Sequence, residues 1–304
     1  MSEERARIQV GTASWTDRSL VACGRFYPRG CSSAEDRLRY YASQFPVVEV
    51  DSSYYALPAA RNAALWAERT PEGFCFNVKA FRLFTGHQTP ARALPRDVAA
   101  ALAGHFATKR DVYYKDVPEE LRDALWSRFV HALEPLQQAG KLTAVLFQFP
   151  PWVRPGARAL AHLEACTNRL SGCRLAVEFR HRAWFDARHR ESTLAFLREH
   201  GLVHVVVDAP QGFSNSVPAV WTATNPALAI VRLHGRNAAT WNLRDAESAS
   251  QRFNYDYADA ELTQLGDHIR QLAGRVERVQ VIFNNNYEDQ GQRNARRLRA
   301  ILDG

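Results

Sequence analysis

A chain of 304 residues, 46% hydrophobic and 23% charged, with 16 Gly and 14 Pro, has a globular composition that excludes the disordered, collagen-like and fibrous classes. The formal charge of +7 and a pI near 9.3 favour anionic partners, yet 35 of the 39 basic residues are Arg and only four are Lys (Lys79, Lys109, Lys115, Lys141), a bias that genomic base composition alone produces. Five Cys without CxxC spacing point away from a disulfide framework or zinc ribbon, and no run of 18 apolar residues offers a membrane span, so with an acid-bearing, signal-free N-terminus the expected location is cytoplasmic.

In chain order, Ile8 to Gly11 reads as a first strand leading into Thr12, Ala13, Ser14 and Trp15. Ser32 and Glu35 suggest a capping box for a helix over Ala34 to Gln44. Val47 to Val50 is the second strand, followed by Asp51, Ser52, Ser53, Tyr54 and Tyr55. A helix after Pro58 stops at Thr70, Pro71 and Gly73, and Phe74 to Ala80 is the third strand. Residues 81–118 read as a long loop with a short helix near Asp97 to His105, the kind of insertion that often forms binding loops or lids.

Glu119 to Ala139 carries Leu121, Leu125, Phe129, Leu133 and Leu136 along one stripe and is a strong amphipathic helix. Leu142 to Phe149 is the fourth strand, with a helix near Ala157 to Leu170 leading to the fifth at Leu175 to Phe179. A helix near Arg190 to His200 precedes the sixth strand, Val203 to Asp208. The next twenty residues, rich in Pro, Ser, Asn and Thr, contain no helical pattern. Ala229 to His234 is the seventh strand, Ala258 to Leu272 a helix, Val279 to Asn284 the eighth strand, and Gln292 to Leu302 a final helix. The basic cluster Arg293, Arg296, Arg297 and Arg299 on that helix reads as a solvated face.

Eight short apolar runs alternating with helices predict an α/β fold, a single TIM-like (β/α)8 barrel domain over residues 1–304, with an irregular sixth β/α unit and a long loop after strand three. No GxGxxG turn follows strand one, so a dinucleotide site is not indicated. Polar residues recur at the strand ends: Thr12 and Ser14, Glu49 and Asp51, Asn77 and Lys79, Gln148, Glu178 and Arg180, Asp208, Arg232 and His234, Asn284. Several are i, i+2 pairs able to face the barrel axis together, at the rim where barrels of this kind place their active sites.

The motifs GTASW (Gly11 to Trp15), FYPRG, VVEVDSSYY, TPEGFCFNVKA, LFQFPP, AVEFRHRAWF, VRLHGR and IFNNN occur in an order that resembles the YecE-like family, domain of unknown function 72. The resemblance spans essentially the whole chain and implies a TIM-like barrel; it implies no particular activity. Two departures stand out. The family's lysine of strand three usually runs into a Thr-His pair, whereas Gly86 here separates Thr85 from His87. Asp51 stands where the family commonly has Asn.

The strand-end chemistry supports several readings. In the leading one, Lys79, Arg180, Arg232 and His234 form an anion pocket for a phosphorylated small molecule or nucleic acid, with Glu178 and Asp208 as acid, base or orienting groups. Tyr54, Tyr55, Trp15 and Trp184 are either stacking surfaces or plain packing. No cofactor is required. A divalent metal held by Glu178, Asp208, Glu49 and His234, as in barrel hydrolases and isomerases of the apurinic-endonuclease and sugar-isomerase type, is a second reading by fold analogy. Schiff-base chemistry at Lys79 is a third. A non-catalytic nucleic-acid-binding module, using the basic rim and the 81–118 loop, is a fourth.

Overall fold

The computed structural model describes residues 8–103, 111–243 and 249–304. Strands β1 (Ile8–Ala13), β2 (Val47–Val50), β3 (Cys75–Lys79), β4 (Leu142–Gln148), β5 (Leu175–Glu178), β6 (Val203–Asp208), β7 (Ala229–Leu233) and β8 (Val279–Phe283) close in sequence order into a parallel barrel. β8 meets β1 in a register running from Ile8 with Val279 to Thr12 with Phe283. The α/β barrel expected from the apolar runs is therefore the fold.

The crossovers carry α1 (Ala34–Gln44), α2 (Ala60–Glu68), α3 (Glu119–Gln138), α4 (Ala157–Arg169), α5 (Arg190–Glu199) and α6 (Asp259–Ala273), and α7 (Gln290–Asp303) ends the chain. α1 is capped one residue later than the sequence suggests. Ser33 Oγ accepts from the Asp36 amide at 3.0 Å and the Asp36 carboxylate accepts from the Ser33 amide at 3.1 Å. An Asp at the third helical position closes the box as a Glu would.

Between β6 and β7, residues 209–228 hold no helix, as their composition predicts. Side chains tie this segment to β6 instead. Thr224 Oγ1 donates to Leu202 O at 2.6 Å and accepts from the His204 amide at 2.8 Å, and His204 Nε2 lies 3.1 Å from Val220 O. The loop after β3 contains a helix at Arg96–Ala103 and a two-residue antiparallel pairing of Thr89–Pro90 with Asp111–Val112. His105 and Lys109 lie outside the described residues.

Aromatic rings fill the layer between strands and helices: Phe84 stacks on Trp126 at 3.7 Å and Phe179 on Trp184 at 3.9 Å. The barrel interior is more polar. Asn77 Nδ2 donates to Gln280 Oε1 at 2.9 Å, and Gln280 Nε2 donates to Gln9 Oε1 at 2.9 Å. This hydrogen-bonded layer satisfies amides that an apolar lumen would leave unpaired. On α7, Arg293 pairs with Asp256 and Arg297 with Asp259, so the basic cluster is partly neutralised. Among the described residues no helix is long and apolar enough to cross a membrane.

Candidate functional site

Strand register decides which strand-end side chains meet. Arg232 pairs with Val207 and Ile282, and Gln148 with Glu178, while Glu49 pairs with Ala13 and Asn77. Period-2 alternation then sends Glu49, Gln148, Glu178 and Arg232 into the lumen, with Asp51, Lys79, Arg180, His234 and Asn284 following two residues on. Gln148 reaches that face through an irregularity in β4: Phe76 pairs with Leu142 but Asn77 with Ala144, and the extra residue resets the alternation beyond it.

Arg232 is the hub, with 0% of its surface exposed. Nη1 donates to Glu178 Oε2 and, at 3.2 Å, to Gln148 Oε1; Nη2 donates to Glu49 Oε1 at 2.5 Å and to Asn284 Oδ1 at 3.4 Å. The guanidinium thus bridges two fully buried glutamates. Glu178 Oε1 also lies 3.2 Å from His234 Nε2, and Asn284 Nδ2 lies 2.8 Å from His234 Nδ1. With the Asn284 amide donating to Nδ1, the imidazole carries its proton on Nε2 and donates to Glu178. Arg180 Nε sits 2.6 Å from the same Glu178 oxygen as an ion pair without hydrogen-bond alignment.

The two glutamates differ electrostatically. Burial works against the Glu178 carboxylate, but Arg232, Arg180 and His234 together hold its pKa well below the usual range. Glu49 is pushed up to about 7, chiefly by burial, with the neighbouring Asp51 adding to the effect against Arg232. Its second oxygen, Oε2, is buried with no hydrogen-bond partner. His234 is lowered to about 3 by burial and then by Arg180, so it is neutral at physiological pH.

Beside this core, Lys79 Nζ lies 3.2 Å from Asp51 Oδ1 and 4.8 Å from the centre of the Tyr54 ring. Burial opposes ionisation of Asp51, but Lys79 and Arg232 prevail and lower its pKa. Arg180 lies over the Trp241 ring at 5.4 Å. His87 edges against Tyr54 at 5.2 Å, and Thr85 Oγ1 is 2.8 Å from His87 Nδ1. Gly86, at φ 79°, turns the chain so that Thr85 and His87 pair across the inserted residue.

Not every expected residue joins the cluster. Asp208 pairs in register with Leu233, on the face opposite Arg232, and its carboxylate binds Arg236 Nε, Arg236 Nη2 and the Tyr257 hydroxyl, the last at 2.7 Å. Trp15 is buried edge-on against Trp66 of α2, and Trp184 stacks on Phe179 while donating to Val153 O, so both serve packing. Tyr54 stays with the cations and Tyr55 is exposed. The four candidate metal ligands do not converge: Arg232 takes the place between Glu49 and Glu178, and Asp208 faces elsewhere. Among the described residues no three His, Cys, Asp or Glu side chains gather as a metal site. Sequence reasoning missed Trp241, Arg236 and the lumen amides Gln9 and Gln280; only the position of Arg236 just past β7 offered a signal.

Fold and site together define a parallel (β/α)8 barrel protein with a buried Arg–Glu–His cluster at the C-terminal mouth of its strands. The chain belongs to the family described as protein of unknown function DUF72, whose model matches residues 9–304, in agreement with the motif resemblance. It is 33% identical over 298 residues to UPF0759 protein YunF of Bacillus subtilis (strain 168), covering 97% of this chain and 95% of that one. A DUF72 family protein of Enterococcus faecalis V583 superposes with a TM-score of 0.78 at 28% identity, covering 98% of this chain and 96% of the other. One of Thermotoga maritima MSB8 gives 0.76 at 28% identity, covering 98% and 100%.

Proposed function

We propose that the barrel mouth is an anion pocket for a phosphorylated ligand, either a small molecule or a nucleic-acid backbone, in which Lys79 and Arg180 meet the phosphate. The observation that carries this reading is their partial exposure, 12% and 11%, at the edge of an otherwise closed cluster. Each is anchored by a carboxylate on one side. Among the described residues, the terminal Nη atoms of Arg180 have no hydrogen-bond partner. Guanidinium is well shaped for a phosphate, and an ammonium adds a point charge beside it.

Arg232, with its four Nη bonds directed to internal acceptors, positions Glu178 and Glu49 rather than contacting ligand. His234 donates to Glu178 and fixes its orientation. Glu49 is the group in this pocket able to exchange a proton near neutral pH, which suits acid or base work on a bound ester. Titration calorimetry with inorganic phosphate tests the pocket. Lys79→Ala and Arg180→Ala should each weaken binding by about tenfold or more, the scale of a lost charge-assisted contact. Unchanged affinity in both variants overturns the reading.

A further inference from the structure

A second cavity, of about 670 Å³, opens outside the charged mouth, between the loop after β3 and the start of α4. Its volume is in the range of small-ligand sites. Tyr113, Tyr114, Phe149, Trp152 and His162 contribute rings to its walls, and Lys115, Arg154 and Arg158 contribute charge. Trp152 is 56% exposed and Tyr113 38%, two of the four large hydrophobic side chains exposed among the described residues. Leaving an indole face in water is unfavourable, and two such rings in one groove make a surface suited to cover by a flat apolar partner.

The charges decide what kind of partner. Lys115, Arg154 and Arg158 are exposed and have no carboxylate partner among the described residues, whereas the arginines of α7 and of the Asp97–Arg128 and Asp123–Arg169 contacts are paired. An aromatic platform ringed by unneutralised cations matches a planar ring carrying an anionic group. His162 adds no charge: its Nε2 lies 2.7 Å from Phe84 O, and burial lowers its pKa. Gly156, ahead of α4, supplies no capping side chain and the first turn holds no acid, so nothing anionic in the chain already occupies that corner. The groove also borders the barrel mouth. Trp152 touches His87 at 5.8 Å, His87 touches Tyr54 at 5.2 Å, and Tyr54 lies beneath Lys79.

We propose that this groove binds a nucleotide unit, with the base stacked on Trp152 beside Tyr113 and its phosphate held by Lys115, Arg154 and Arg158. Base–aromatic stacking combined with a cationic track is the general solution for unpaired nucleotides and is tolerant of base identity. The inference goes beyond the anion pocket and rests on different residues, so either can fail alone.

The test uses two probes with the full-length protein: adenosine 5′-monophosphate by calorimetry, and a fluorescein-labelled single-stranded oligodeoxynucleotide of mixed sequence by anisotropy. Trp152→Ala should weaken whichever probe binds by about tenfold or more, the size of one stack. The triple variant Lys115→Ala, Arg154→Ala, Arg158→Ala should flatten the salt dependence of oligonucleotide binding by roughly 2 in log–log slope, at about 0.7 per lost phosphate contact. Tight binding of the mononucleotide identifies a free nucleotide as the source. Binding of the oligonucleotide alone identifies a single strand. All four substituted side chains are exposed, so unchanged thermal unfolding should confirm intact variants. Failure of both probes to bind, or binding that Trp152→Ala leaves unaltered, overturns the inference. Inorganic phosphate affinity, set by Lys79 and Arg180, should be the same in the Trp152→Ala protein, which keeps the two readings separable.

Discussion

Arg232 illustrates why a buried charge demands its partners. Taking a guanidinium and two carboxylates out of water costs several kcal/mol per ion, and only close, hydrogen-bonded geometry offsets it. With Glu178 on Nη1 and Glu49 on Nη2, Arg232→Ala leaves both glutamates in a closed lumen without their cation. The expected loss is about 3–5 kcal/mol in urea unfolding. A loss below about 1 kcal/mol would show that the cluster is solvated and contradict the burial. Arg232→Lys should also be destabilising, because one ammonium cannot reproduce a fork that spans two carboxylates.

The two glutamates should give opposite pH signatures. Glu178 has a depressed folded pKa, so its contribution is present above the unfolded value near 4.5 and is lost as pH falls through the folded one. Glu49 has a raised folded pKa of about 7, so its contribution is present below 4.5 and is lost as pH climbs to about 7. Glu178→Gln should therefore flatten the acid limb of the stability profile. Glu49→Gln should remove the decline between pH 4.5 and 7 and gain on the parent protein at higher pH. Denaturant unfolding across that range checks both, and parallel profiles for the two variants would refute the assignment.

At the scale of single elements, β1 is constrained by how closely β2 approaches it. A Cβ on Gly11 would stand 2.0 Å from Val47 O, a backbone atom that cannot swing aside. Gly11→Ala must push β1 and β2 apart where Tyr41, through its hydroxyl, also ties Thr12 to Val47. The expected cost is about 3 kcal/mol, at the upper end of ordinary overpacking, read as a lower unfolding midpoint. A variant as stable as the parent would mean the strands can separate freely. The strand itself was legible in sequence, since Ile8 to Gly11 is a compact apolar run. The need for glycine was not, because it depends on a carbonyl 36 positions along the chain, Val47 less Gly11. The irregularity in β4 is of the same kind: LTAVLFQ reads as a strand, but only pairing with Phe76 and Asn77 shows that Gln148 turns inward.

For the whole molecule, alternation of strand and helix made the barrel legible, and strand-end polar residues marked its working rim. Polar residue type alone did not tell which side of the wall each would take. Asp208 looks like a rim carboxylate in VHVVVD, yet it belongs to an outer network with Arg236, Tyr257 and Glu261. Arg232, two residues before the rim histidine, looked like a ligand-facing cation and became the internal clamp.

The barrel wall therefore separates two charged systems that should respond independently to mutation. Asp208→Asn removes charge-assisted bonds that fasten the segment after β7 to β6 and to Tyr257, with an expected cost of about 1–3 kcal/mol. Its side chain faces away from Glu178 and Arg180, so phosphate affinity at the mouth should stay within about twofold of the parent, the behaviour of sites without shared partners. Lys79→Ala should do the reverse: its partly exposed pair with Asp51 contributes little to stability, while the ligand loses a cation. Paired urea unfolding and phosphate titrations on the two variants decide the matter. If Asp208→Asn abolished phosphate binding while the barrel remained folded, the wall would not insulate the two systems, and Asp208 would have to be returned to the site.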